Sequence, residues 1–352
     1  MMINTSNLKP SALPGHWPLL ALSGGDAQKR DELVAEILPT FHERAIRVLV
    51  VKADGEKMSS CQTKMTDLGN TGVLLLGNDY YHGLSGTENG PGLREVLVPY
   101  ASFYDIIIVL AEKRTSPIDS IHIHDETEQI SNESSGVAEP LYIYREGDDS
   151  SNLVSFLLGW LQKKVNSIPV WACVLIGGQS SRMGRPKHLI TCEDGRTWLE
   201  TTVEILEEVA DQVVLSGKGD VPESLTHLPR MVDIVDVKGP LTGIISAMRW
   251  NPQVSWLLVA CDMPNIKRQG LAWLLDMRKP GVWGTVPCHQ DTGYSEPLLA
   301  HYDFRSRQLL EKLLSKGCLR INQICKESKI STPSIPSELK NCWRNCNSPE
   351  DL

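Results

Sequence analysis

Two periodicities alternate along the chain. Short, almost continuous apolar runs recur, and the segments between them carry an apolar residue at every third or fourth position. In the first half, WPLLALSG (Trp17–Gly24), AIRVLVVKAD (Ala45–Asp54), VLLLG (Val73–Gly77) and DIIIVLAE (Asp105–Glu112) predict strands. The last has the character of a strand covered on both faces. Ala27–Arg44, with Leu33, Ile37 and Phe41 in line, predicts a helix, and Leu153–Lys164 a closing one. The second half repeats the alternation. WACVLIG, QVVLS, VSWLLVA and VWGTVP predict strands. Arg196–Ala210 (Leu199, Val203, Leu206 and Ala210 in line), Pro240–Asn251, Gly270–Met277, Arg307–Ser315 and Leu319–Glu327 predict helices. Strands alternating with helices argue parallel α/β sheets in both halves. The polar stretches EGDDSSN and VNSIP flank the helix at 153–164, and the expected boundary divides a domain 1–167 from a domain 168–352.

Composition agrees with two cores. A chain of 352 residues with 41% apolar content is long for one domain and too apolar for global disorder. Thirty-five basic against forty-three acidic residues give a net charge of −8, which excludes a general nucleic-acid binder. No run of 18 apolar residues predicts a membrane span, and MMINTSNLKPSALPGHW lacks the apolar core of a signal peptide. Nine cysteines without CxxC pairs read as reduced thiols, so a cytoplasmic location is expected. Cys318, Cys325, Cys342 and Cys346 crowd one end but fit no zinc spacing. His122 and His124, beside Asp125, read as a solvated sheet face rather than a metal site. Trp198 and Trp256 read as core, and Glu193-Asp194 and Glu207-Glu208 as a turn and a solvated helix face.

The candidate chemistry sits in VLIGGQSSRMGRPKHLI (Val174–Ile190). Ligands of an open parallel sheet gather beyond the carboxyl ends of its strands. There, Gly177 and Gly178 let backbone N–H groups approach a ligand, Ser180 and Ser181 add donors, and Arg182 and Lys187 add positive charge. The combination suits a polyphosphate, at a spacing that is neither a P-loop nor a dinucleotide fingerprint. VACDMP places Asp262 at the end of another strand, where a carboxylate can hold Mg²⁺ against phosphate oxygens. The alternative for Asp262 is a helix N-cap with Pro264 as first helical residue. GPLTG (Gly239–Gly243) is a third glycine loop entering a helix, after a segment carrying Asp233 and Asp236.

GGQSSRMGRPK, VDIVDVKGPLTG, ACDMP, SEPLLA and NCNSPEDL together resemble the molybdenum cofactor guanylyltransferases over the whole second half. The resemblance implies a Rossmann-like, doubly wound nucleotidyltransferase domain. It implies transfer of GMP from GTP to the phosphate of molybdopterin or Mo-molybdopterin, with release of pyrophosphate. Gly177, Gly178, Ser180, Arg182, Gly184 and Lys187 would hold the GTP phosphates, and Asp262 would bind Mg²⁺. Lys187, Arg182 and Asp262 would be the catalytic charges. Gly239, Leu241 and Gly243 match the base-side loop, with Asp233 as its acidic partner, and Asn345 and Asn347 match the N-x-N that faces the pterin. Cofactor-delivery proteins or apo-molybdoenzymes would be the macromolecular partners. The chain departs from the family at Pro186, where an acid is frequent, and at Glu296-Pro297, where Gln-Pro is frequent. Both departures bear on substrate preference. Gly177-Gly178, where cytidylyl relatives tend to have Ala-Gly, favours guanine over a cytidylyltransferase. A sugar-phosphate nucleotidyltransferase and a non-catalytic cofactor-delivery protein are the other readings.

The first half resembles the P-loop adaptor protein of molybdopterin-guanine dinucleotide synthesis, through LALSGGDAQKRDEL, AIRVLVVK, DIIIVLAEKRTSPIDSIHI and FLLGWL. Where G-K-[ST] is expected, the chain has Gln28-Lys29-Arg30. The wrapping glycine is absent and Arg30 replaces the Mg²⁺-binding hydroxyl. A degenerate P-loop domain that does not hydrolyse GTP is expected. It would serve to dock a partner, to dimerise or to hold the pterin.

Overall fold

The computed structural model describes residues 17–52, 70–75, 93–111, 118–124, 138–176, 186–231 and 239–346. The chain forms two compact units, Met1–Ser167 and Ile168–Leu352.

The first unit comprises β1 (Leu19–Gly24), α1 (Ala27–Glu43), β2 (Val48–Lys52), β3 (Thr71–Leu75), α2 (Leu93–Ala101), β4 (Ile106–Leu110), β5 (Asp119–His124), β6 (Tyr142–Arg145) and α3 (Ser150–Asn166). Its six strands lie in the order β3-β2-β4-β1-β5-β6, every pairing parallel. The central strands are apolar on both faces because both are covered. Leu20, Leu22, Val48, Val50, Ile106 and Ile108 pack on α1 and α3, while Leu19, Leu49, Val51, Ile107 and Val109 pack towards Leu97 and Ala101 of α2. Helix α1 starts where Asp26 accepts the backbone N–H of Lys29 at 2.7 Å. The edge strand β6 is amphipathic and short, so no apolar run announced it. His122 is half-buried with Nδ1 3.4 Å from Ser23 Oγ, so the reading of a solvated face is corrected there.

The second unit comprises β7 (Val170–Leu175), α4 (Trp198–Glu207), β8 (Gln212–Ser216), β9 (Arg230–Met231), α5 (Pro240–Trp250), β10 (Ser255–Ala260), α6 (Arg268–Asp276), β11 (Gly284–Thr285), β12 (Leu299–Tyr302), α7 (Arg307–Ser315) and β13 (Ile330–Ser331). The seven strands run β13-β11-β12-β10-β7-β8-β9. All pairings are parallel except those of β12, which runs against both β10 and β11. The expectation of a wholly parallel sheet is therefore corrected to a mixed one. Helices cover both faces. Leu199, Val203 and Leu206 of α4 and Leu271 and Leu274 of α6 share one core, and Leu241, Ile244, Ile245 and Met248 of α5 and Leu309, Leu310 and Leu313 of α7 share the other. Side chains of β7 alternate between them, Ala172 to the first and Cys173 to the second, as the two-residue strand period requires.

Helix α4 carries a capping box, with Thr197 and Glu200 each satisfying the other's backbone N–H. The expected helix at 319–327 is instead a 3₁₀ segment, Ile321–Lys326. The terminal cysteines do not converge. Cys342 lies in the α4/α6 core, Cys318 and Cys325 pack on the α5/α7 core, and Cys346 sits with Ile190 and Trp198. Trp256 and Trp198 are core residues. Among the described residues, no helix is long and apolar enough to cross a membrane.

Candidate active site

Three strands of the second unit end level. Leu175 of β7 is in register with Ala260 of β10 and with Ser216 of β8, so the chain leaves all three at one rim. A cavity of about 690 Å³ opens there, walled by Lys187, His188, the Ser216–Gly219 turn, Gly239, Gly243 and Asp262. Lys187 opens a short 3₁₀ segment, and its Nζ stands 3.4 Å from Asp262 Oδ2. His188 is buried, with Nε2 2.9 Å from the carbonyl oxygen of Asp220. Gly217 has φ +122°, and a Cβ there would collide with the carbonyl oxygen of Ile176. A Cβ on Gly219 would stand 2.6 Å from the His188 ring. The SGKG turn is therefore glycine-rich because backbone and imidazole crowd it.

A second cavity, of about 610 Å³, meets the first at Asp262. Its wall includes Glu296, Asn345, Tyr294, Arg320, Asn322 and Gln323. Glu296 is only 5% exposed. Its Oε1 accepts a hydrogen bond from Asn345 Nδ2 at 3.3 Å and faces His289 Nε2 at 3.4 Å. Burial, reinforced by the negative charge of Asp262 and partly offset by Asn345, raises its pKa to about 7. The backbone N–H of Cys346 donates to the Asp262 carbonyl at 2.8 Å, which ties the C-terminal segment to the rim.

Of the residues singled out by sequence, Lys187, Asp262, Gly239 and Gly243 meet at the first cavity, and Asp262 and Asn345 at the second. Asp262 lies in a turn, and the helix after it begins only at Arg268 with Lys267 as its N-cap, which disposes of the N-cap reading. The side chain of Leu241 is fully buried in the α5/α7 core and does not face the cavity. Gly177, Gly178, Ser180, Arg182, Gly184, Asp233 and Asn347 lie outside the described residues. Sequence reasoning passed over Gly217–Gly219 and His188. The signal for the former was a Gly-Lys-Gly turn directly after the predicted strand QVVLS. The spacing carried no signal for His289 beside Glu296.

The first unit has its own strand-to-helix turn. Gly24 and Gly25 take φ +73° and +57°. The buried Arg30 reaches back from α1 and donates through Nη1 to the carbonyl oxygens of Gly24, at 3.0 Å, and Gly25, at 2.8 Å. Lys29 is bound to Glu146 Oε2 at 3.0 Å.

Residues 172–328 match the MobA-like NTP transferase domain family. A Bacillus thuringiensis protein named "Probable molybdenum cofactor guanylyltransferase" is 32% identical over 162 residues, 45% of this chain and 80% of that protein. A Synechocystis "Molybdenum cofactor biosynthesis bifunctional protein" is 31% identical over 192 residues, 53% of this chain but only 54% of that protein's length. A solved Archaeoglobus fulgidus structure, of molybdopterin-guanine dinucleotide biosynthesis protein A, is 25% identical, covering 51% of this chain and 94% of its own, with a TM-score of 0.44. On the sequence matches, the chain belongs to the molybdenum cofactor guanylyltransferase family, and its second unit is a nucleotidyltransferase.

Proposed function

We propose that the second unit transfers GMP from GTP to the phosphate of molybdopterin, forming molybdopterin guanine dinucleotide and releasing pyrophosphate. The observation that carries this reading is the pair of cavities meeting at Asp262, one under the Lys187 rim and one beside Asn345. A donor nucleotide in the first and an acceptor in the second would present their phosphates to each other at that junction. An acceptor phosphate oxygen attacks the α-phosphorus, the bond to the β-phosphate bridging oxygen breaks, and that oxygen leaves with pyrophosphate.

Both reactants are anionic, so repulsion is the main obstacle and positioned positive charge the remedy. In the free protein the Lys187 ammonium faces Asp262 at 3.4 Å. An incoming triphosphate, with more charge, draws it across to the leaving pyrophosphate, where Arg182 would join it. The freed carboxylate of Asp262 suits Mg²⁺, a hard cation usually held by one or two protein carboxylates together with substrate phosphates. Bound there, Mg²⁺ would neutralise charge on the reacting phosphates. Gly177, Gly178, Ser180 and Gly184 would supply donors to the phosphates, Gly239 and Gly243 would flank the base with Asp233, and Asn345 and Asn347 would face the pterin.

Pyrophosphate release with GTP, CTP and ATP, each with and without molybdopterin, tests the reading. Release with GTP that requires molybdopterin supports it. Preference for CTP makes the protein a cytidylyltransferase, release with a sugar phosphate alone removes the pterin, and tight molybdopterin binding without turnover makes it a delivery protein.

We infer that the first unit is a P-loop-derived domain that does not hydrolyse GTP. The support is the guanidinium of Arg30, which is bound to the Gly24 and Gly25 carbonyls of the turn where a P-loop carries its hydroxyl residue, with Lys29 held by Glu146. Orthophosphate release from GTP by the full chain, in the absence of acceptor, would overturn it.

A further inference from the structure

On the reading that the acceptor occupies the Asn345 cavity, we propose that Glu296 recognises the acceptor's pterin ring, its carboxylate accepting the neighbouring N–H donors of the 2-amino-4-oxo edge. Glu296 is 5% exposed, and a buried carboxylate is costly unless donors surround it. The one donor it has among the described residues is long: Asn345 Nδ2 reaches Oε1 at 3.3 Å, with His289 Nε2 3.4 Å from the same oxygen. Among the described residues no donor reaches Oε2, and no lysine or arginine stands within ion-pair distance. The carboxylate is nonetheless held in place. The N–H of Glu296 donates to the Pro287 carbonyl at 2.8 Å, its carbonyl accepts from Leu299 at 3.3 Å, and the next carbonyl, of Pro297, accepts from the buried Tyr302 hydroxyl at 2.8 Å. A rigid, buried, under-satisfied carboxylate in a cavity wall is built for a ligand that brings donors with it.

The shape of that donor follows from carboxylate geometry. Two parallel N–H groups on one planar edge make the strongest neutral match to a carboxylate's two oxygens. A 2-amino group beside a ring N–H gives such a pair. Pterin carries this edge, and so does guanine. The position of Glu296 decides between them, because it lines the cavity shared with Asn345 and not the one under Lys187, His188 and Gly217–Gly219. Tyr294, 52% exposed at the same wall, offers a flat ring on which a bicyclic heterocycle can stack.

The test compares ligands that differ only at this edge, on the full chain and on Glu296→Gln. Free pterin is titrated against lumazine, in which an oxo group replaces the 2-amino group, and GTP against ITP, which lacks the guanine 2-amino group. Wild-type protein is expected to bind pterin roughly tenfold or more tighter than lumazine. Glu296→Gln, nearly isosteric, is expected to bring that ratio to within about threefold while leaving the GTP-to-ITP ratio unchanged. Equal wild-type affinities for pterin and lumazine would overturn the proposal without recourse to the variant. So would a pterin preference that survives Glu296→Gln, a variant effect confined to the GTP-to-ITP ratio, or one confined to the Mg²⁺ requirement. In each of those cases the transferase reading stands. Failure of wild-type protein to bind any pteridine, with pyrophosphate release intact on another acceptor, removes that reading as well.

Discussion

The N–H of Cys346 donates to the carbonyl of Asp262 at 2.8 Å, and the side chain one residue earlier, Asn345, donates to Glu296 at 3.3 Å. One short stretch near the end of the chain thus joins the acid after β10 to the acid before β12. It adds Asn345 to the wall of the second cavity, which both of these acids also line.

Asn345→Ala is expected to raise the KM for molybdopterin roughly tenfold, the cost of a lost hydrogen bond to a charged group. The KM for GTP should stay within about twofold, since Asn345 does not line the nucleotide-side cavity. Steady-state kinetics with each substrate varied in turn measure this. A change in the GTP term alone would contradict the division of the site.

Lys187→Ala and Asp262→Ala are each expected to lower turnover by ~10²–10³. Their ion pair is partly solvated, so the melting temperature should fall by no more than the loss of about 1 kcal/mol implies. Pyrophosphate release and calorimetry on the same preparations check both. A folded Asp262→Ala protein with near-normal activity, or wild-type activity that survives EDTA, would remove Asp262 as the Mg²⁺ carboxylate.

Gly217→Ala is expected to destabilise the second unit by about 2–3 kcal/mol or more. The residue takes φ +122°, and a Cβ there would collide with the carbonyl of Ile176. Denaturant unfolding should show a lower midpoint, and activity should fall with it because Lys218 sits on the same turn.

His301 gives the stability curve an acid limb. Burial, with the Arg278 cation second and Asp303 partly offsetting, pushes its pKa down to about 3 from the ordinary 6.5. Below pH 6.5 the unfolded chain takes up a proton that the folded chain refuses until about pH 3, so stability falls as pH drops across that window. His301 Nε2 has no hydrogen-bond partner among the described residues, so His301→Leu breaks no bond at that atom and should flatten the slope. Unfolding midpoints at several pH values report it.

Glu296 works in the opposite direction. Its folded pKa, about 7, lies above the ordinary 4.5, so the folded state holds the extra proton between those values. Its contribution is greatest at low pH and is lost as pH rises through 7. In EDTA, the stability of Glu296→Gln relative to wild type should therefore grow from pH 4.5 to 7. An unchanging difference would show that the carboxyl is ionised throughout.

The apolar runs located β1, β2, β4, β7, β8 and β10, because strands covered on both faces write uninterrupted hydrophobic sequence. They did not locate β6, β9, β12 or β13, which are short or lie beside polar groups such as His301. The antiparallel direction of β12 had no local signature, since direction is set by the connection and not by side-chain pattern. Lys187 and Asp262 were legible as charged residues in loops after predicted strands, and Gly239 as a glycine loop entering a helix. The Gly217 turn carried a Gly-Lys-Gly signal, but its place at the rim, like the Glu296–His289 pair, emerged only with pairing register, which brings β8 level with β7 and folds residues 288–295 back on themselves.

The turn after β1 has a tethered donor in Arg30. An ordinary phosphate-binding turn gains stability from its ligand in proportion to the logarithm of free concentration. Arg30 is covalently attached to its own turn, so the Gly24 and Gly25 carbonyls keep that donor at every nucleotide level. The first unit should therefore melt at a temperature indifferent to GTP, while the second rises with it. Heating the protein at increasing nucleotide would then move the melting of the second unit away from that of the first.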